Sequence, residues 1–263
     1  MKRIIILVST SLVACNSFSD AELTGCADQE IINGTTVSED DIGQPLLLRS
    51  DGWQCSATLL NDYYALTAHH CLTVQDDITG GDPVDASIVT LTLMTGQSAK
   101  GAAVYRHPTL DVAILQLATP LLGPNGKHYT NYLMDATSAS LVGQTLYCAG
   151  WGNYANDDAG KEVGWGTLRS AYMHVSRTDA QGYDMYRNDQ CQVQFNGDSG
   201  SSCFLNVNGN YYITGVDSQG FYDNKATDNA SQLEYVYQVG ADYFRDWVLS
   251  IVPLANVASA KGL

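Results

Sequence analysis

The chain has 263 residues, with 13 Lys+Arg set against 28 Asp+Glu for a formal net charge of −15. That balance excludes a nucleic-acid binder, which needs basic surface against phosphates. With 45% hydrophobic and 16% charged residues, the composition is that of an ordered globular protein rather than an acidic disordered tail, and the length suits one large domain or two small ones.

Met1-Lys2-Arg3 is a basic start, and Ile4 to Ala14 is an apolar run too short to span a bilayer but of the length of a signal-peptide core. The run ends Leu12-Val13-Ala14-Cys15, which resembles the lipobox of bacterial lipoproteins, where the signal is cut before the cysteine and the cysteine is lipidated. Residues 1–14 are therefore expected to be a signal peptide and Cys15 a lipidation site giving membrane attachment, with 15–30 a polar pro-segment. An ordinary signal peptide cut nearby is the alternative. Both predict export, to a bacterial cell envelope or to the medium. Setting Cys15 aside leaves six of the seven cysteines, Cys26, Cys55, Cys71, Cys148, Cys191 and Cys203. In an oxidising compartment an even six predicts three disulfides.

From Ile31 onward, short apolar or alternating segments recur between Gly/Asn/Asp-rich turns: Trp53 to Leu60, Tyr64 to Ala68, Ile88 to Leu93, Val112 to Leu117, Leu141 to Ala149, Tyr211 to Val216 and Tyr235 to Val239. Their length and β-branched content predict antiparallel strands in a barrel or sandwich. One helical pattern stands out, Ala241 to Val252, with Phe244, Trp247, Val248 and Ile251 on one face.

Three segments carry chemistry. Thr67-Ala68-His69-His70-Cys71 sets histidine beside cysteine at a strand end, Leu110-Asp111-Val112-Ala113 heads an apolar strand with an acid, and Gly197-Asp198-Ser199-Gly200 surrounds a serine with glycines. In the order His, Asp, Ser, these segments resemble the trypsin/chymotrypsin family of serine proteases. The resemblance covers roughly 31 to 251 and includes Ile31-Ile32-Asn33-Gly34, Cys55-Ser56-Ala57-Thr58, Gly150-Trp151-Gly152 and Asp217-Ser218-Gln219-Gly220. It implies an all-β fold of two packed six-stranded antiparallel barrels with a C-terminal helix, a protease domain over 31–252 and a tail over 253–263.

The chemistry follows from the residue types. A serine hydroxyl needs an adjacent base to attack a carbonyl. An imidazole titrating near the working pH can take that proton and return it to the leaving amine. The resemblance selects His70, which directly precedes the cysteine, as the base; His69 reads as a neighbouring ring. Asp111 would hold the imidazole tautomer, and the amides of Gly197 and Ser199 would form the oxyanion hole.

The resemblance implies further roles. The Ser218 hydroxyl would support Asp111, and Ser218, Gln219 and Gly220 would offer an edge to an extended polypeptide substrate. Cleavage after Glu30 by an activating protease would free the Ile31 amine to pair with Asp198. Cys55 would bridge to Cys71. Cys148 would bridge to Cys203 and leave Cys26 with Cys191, or Cys191 would join Cys203 and Cys26 join Cys148. Asp189, in Asp189-Gln190-Cys191-Gln192, would lie on a pocket floor selecting Arg or Lys, although Val193-Gln194-Phe195-Asn196 lengthen the spacing to Gly197 by four residues. Either Glu234 or Tyr235 falls where the pocket wall carries glycine, which would narrow it. No cofactor is expected; the acidic pairs Asp76-Asp77, Asp82-Asp85 and Asp157-Asp158 lack a calcium-loop spacing. The expected function is an exported serine endopeptidase made as a zymogen; the alternative is a weak or inactive protease-like binding protein of the envelope.

Overall fold

The computed structural model describes residues 31, 34–38, 42–153, 155–156, 162–163, 165–222, 233–252 and 256–258. Cys15, Cys26, Glu30 and Asp157-Asp158 lie outside them. In chain order the strands are β1 (Thr35–Thr36), β2 (Leu46–Arg49), β3 (Gln54–Ser56), β4 (Thr58–Asn61), β5 (Tyr64–Thr67), β6 (Val89–Thr92), β7 (Ser98–Arg106) and β8 (Ala113–Leu117). They continue with β9 (Tyr132–Met134), β10 (Thr145–Gly150), β11 (Ala155–Asn156), β12 (Glu162–Val163), β13 (Arg169–Asp179), β14 (Gly182–Tyr186), β15 (Ser202–Val207), β16 (Asn210–Tyr222), β17 (Leu233–Gly240), the helix α1 (Ala241–Ile251) and β18 (Asn256–Ala258).

Two barrel-like sheets result. In the first the order is β3-β2-β6-β7-β8-β5-β4. Its two end strands are consecutive in sequence, broken only at Ala57, so the sheet closes on itself as six strands, one of them bent. The second runs β15-β10-β13-β14-β17-β16, and the β15–β16 pairing closes this ring as well. The short β1, β9 and β18 are added outside it, β9 pairing parallel with both β16 and β18. This is the expected pair of six-stranded barrels, with those parallel pairings as an addition.

Alternating side chains fill each barrel. Leu47, Leu59, Leu66, Leu91, Ile114 and Leu115 pack the first, and the same core continues onto Phe244 and Val248 of α1. Leu146, Met173, Val175, Tyr183, Met185 and Val236 pack the second. The helix face read from the sequence is correct, with Trp247 and Ile251 at its margin. Burying such a side chain contributes about 1.5–3 kcal/mol. No helix among the described residues is long and apolar enough to cross a membrane.

Candidate active site

His70 opens a 3₁₀ turn just after β5, and Asp111 lies two residues before β8, the strand paired with β5. That pairing brings the two together. The Asp111 carboxylate is 5% exposed and accepts three hydrogen bonds: from the His70 amide at 2.9 Å, from His70 Nδ1 at 2.8 Å and from the Ser218 hydroxyl at 2.7 Å. Burial pulls the His70 imidazole down, but the hydrogen bond and charge of Asp111, with the charge of Asp76, outweigh it and leave its pKa raised. Cys55 and Cys71 form a disulfide that ties this turn to β3; a loop of this length contributes about 3 kcal/mol.

Ser199 comes from the second barrel, on the turn before β15. Gly200 has φ +84°, and a Cβ there would stand 2.1 Å from Thr67 Oγ1 and 2.5 Å from the Ser56 carbonyl. Only glycine lets this turn press against the end of β5. Ser199 and His70 line one cleft, without a hydrogen bond between hydroxyl and ring in this intact chain; such bonds often tighten only when substrate is bound. The amides of Asp198, Gly200 and Ser201 donate to Phe195, Asp217 and Asp198 carbonyls. Those of Gly197 and Ser199 donate to none of the described residues.

Asp198 is fully buried, its two oxygens accepting from the Gly152 and Phe195 amides, each at 2.8 Å. Burial pushes its pKa up to about 6. Gly150 and Gly152 are glycines for its sake, since a Cβ on either would strike the carboxylate at 2.1 or 2.7 Å. Ile31 is buried in the core of the second barrel, and no described residue forms an ion pair with Asp198.

Ser218, Gln219 and Gly220 lie on β16. β15 pairs with β16 only as far as Val216; Gln219 and Gly220 pair with β17 on one side, Ser218 is the bulged residue between Asp217 and Gln219, and the other edge is open among the described residues.

Asp189 departs from expectation. It sits exposed in the Asn188–Gln192 turn. Of the four added residues, Val193, Gln194 and Phe195 are buried beside the Ser199 turn. Tyr235 stacks its ring on Phe221 at 4.7 Å and on Tyr186 at 4.9 Å. His69 is buried, its ring nitrogens facing the carbonyls of His107 and Gly80, so it braces two loops. Asp77 and Asp85 cap local turns. Cys148 pairs with Cys203, which decides between the two pairings left open. Cys191 is also disulfide-bonded; its expected partner Cys26 lies outside the described residues.

One buried polar chain was not read from the sequence. Gln194 Nε2 donates to Ser201 Oγ at 2.7 Å, and Gln238 Nε2 donates to both Gln194 Oε1 and Asp217 Oδ1 at 2.9 Å. Burial, then the charges of Asp198 and Asp111, push the Asp217 carboxyl well up. A lone acid ending the apolar run Tyr211 to Val216 was the available signal.

A closed double barrel carrying a His-Asp pair and a Gly-Asp-Ser-Gly turn on opposite walls of one cleft defines a class, and the comparisons agree with it. The trypsin family model matches residues 31–248, and the chain belongs to the trypsin family of serine proteases. It is similar to transmembrane protease serine 11E of Mus musculus, 31% identical over 132 residues that cover 48% of this chain and 31% of that protein. Anionic trypsin of Bos taurus is 25% identical over 135 residues, covering 48% of this chain and 51% of that protein. The aligned portion thus spans about a third to a half of these relatives.

Proposed function

We propose that the chain is an exported serine endopeptidase acting through Ser199, His70 and Asp111. The observation that carries this reading is the Asp111 carboxylate held by both His70 Nδ1 and Ser218, with the far side of the ring opening on the cleft that Ser199 lines. The Ser199 hydroxyl attacks the peptide carbonyl as His70 Nε2 takes its proton, and the amides of Gly197 and Ser199 receive the oxyanion. The imidazolium then protonates the leaving amine. Water, deprotonated by the same ring, hydrolyses the acyl-enzyme. The open edge at Ser218–Gly220 pairs with the acyl half of an extended substrate. The preference for Arg or Lys expected from Asp189 is not carried forward, because that residue stands exposed in a turn.

Activation is by cleavage after Glu30, which frees the Ile31 amine to pair with Asp198; the acidic residue at the cut calls for another protease. Lipid on Cys15 retains the enzyme at the envelope. Labelling with a fluorophosphonate tests the central claim: the cleaved form should take one adduct, on Ser199, and Ser199→Ala none. An unlabelled cleaved protein would overturn it in favour of a protease-like binding protein.

A further inference from the structure

The cleft beside Ser199 extends away from the Ser218–Gly220 edge, over about 790 Å³, toward Trp53, Trp165, Asp51 and Asp76. Both tryptophans are unusually open, 39% and 52% exposed, and side chains of this size left facing a cleft mark binding surface. Trp53 is already a cation platform: the Arg49 guanidinium sits 5.5 Å from its ring centroid while pairing with Asp51. Asp76 is different. It takes a left-handed backbone, φ +55°, its carboxylate accepts no hydrogen bond from a described residue, and its charge reaches His70. Neither lysine nor arginine lines the cleft.

A substrate whose acyl half lies on the Ser218–Gly220 edge must cross Ser199 and continue over this second face. We propose that the cleft receives the residues following the scissile bond and selects Lys or Arg among the first two. The inference rests on the protease reading. A long basic side chain can lay its aliphatic stem and cationic head on an indole face and neutralise Asp76, which has no such partner among the described residues. A glutamate would meet Asp76 as a like charge.

The test uses the cleaved full chain and internally quenched peptides that share one acyl half and carry Arg, Ala or Glu at the first or second position after the scissile bond. Arg should exceed Ala in kcat/KM by roughly 5–30-fold, with Glu below Ala. Within each variant, the Arg-to-Glu ratio should collapse for Trp165→Ala and for Asp76→Asn and largely survive in Trp165→Phe. A merely structural role would lower all peptides together and leave that ratio unmoved. A ratio near one in the wild type, or one unchanged in Trp165→Ala, overturns the inference while fluorophosphonate labelling of Ser199 leaves the protease reading standing. If neither hydrolysis nor labelling occurs, both fall.

Discussion

The Ser218 hydroxyl and His70 Nδ1 donate to the same oxygen of Asp111, Oδ2, at 2.7 and 2.8 Å. The carboxylate is therefore held from two barrels at once, since Ser218 belongs to the second and His70 and Asp111 to the first. Asp111→Asn should lower kcat by about 10⁴-fold, because an amide no longer enforces the tautomer that leaves Nε2 free to accept. Ser218→Ala removes one donor to a charged group, and a loss of roughly tenfold is expected, on the scale of one such bond. Steady-state kinetics on the cleaved enzyme would measure both; equal effects would mean that Ser218 does more than hold Asp111.

The pH profile follows from the same geometry. The imidazole must be neutral to act as base, and its pKa is raised because Asp111 and Asp76 outweigh burial. kcat/KM should therefore rise with pH through a midpoint above the ordinary histidine value of about 6.5. Asp76→Asn removes one of the raising charges and should move the midpoint down. A midpoint unchanged in that variant would show that Asp76 exerts no field on the ring.

Asp198 makes stability depend on pH and on cleavage. Its folded pKa is pushed up to about 6 by burial, from an ordinary 3.8. The folded intact chain thus holds a proton that the unfolded chain releases, and stability falls as pH rises through that window, by about 3 kcal/mol at most. An amine delivered by cleavage after Glu30 would remove this cost above pH 6. Calorimetry should show the cleaved form gaining more over the intact form at pH 8 than at pH 4. An equal gain at both would separate Asp198 from activation.

Gly200 allows a stricter test of packing. Its positive φ and the 2.1 Å that would separate an added methyl from Thr67 Oγ1 mean that Gly200→Ala must push the Ser199 turn off β5. A stability loss of about 2 kcal/mol or more is expected, together with loss of labelling at Ser199. Retained labelling at normal stability would show that the turn can relax.

The helix and the seven segments that became β3 with β4, β5, β6, β8, β10, the first half of β16 and β17 were legible because their apolar residues mark a period or a continuous run. Others, β7 and β13 among them, were not. β7 carries Ala and Gly where larger residues would signal burial, and β13 alternates only Ala171, Met173 and Val175 against polar neighbours. At the site, short motifs located His70, Asp111 and Ser199, since each needs particular neighbours in the chain. Asp189 stands exposed where the resemblance implied a pocket floor, and the spacing to Ser199, four residues longer, does not reveal which way that stretch turns. Trp165 and Asp76 gave no local signal; they matter only through a cleft assembled from distant segments.

Asp217 is the buried charge with the least apparent return. Burial and the charges of Asp198 and Asp111 push its carboxyl up, and Gln238 Nε2 is its one side-chain donor among the described residues. Gln238 Oε1 is buried without a partner. Asp217→Asn supplies an N–H that can turn toward Oε1 and removes a like charge. The acid's raised folded pKa means its cost appears as pH rises. The substitution should therefore raise Tm at pH 8 and change it little at pH 4, by about 2–4 °C for each kcal/mol relieved. A Tm lowered at pH 8 would show that the carboxylate stabilises the turn, against this account. A gain in Tm joined to a fall in kcat/KM would identify a charge kept for the reaction at the expense of the fold.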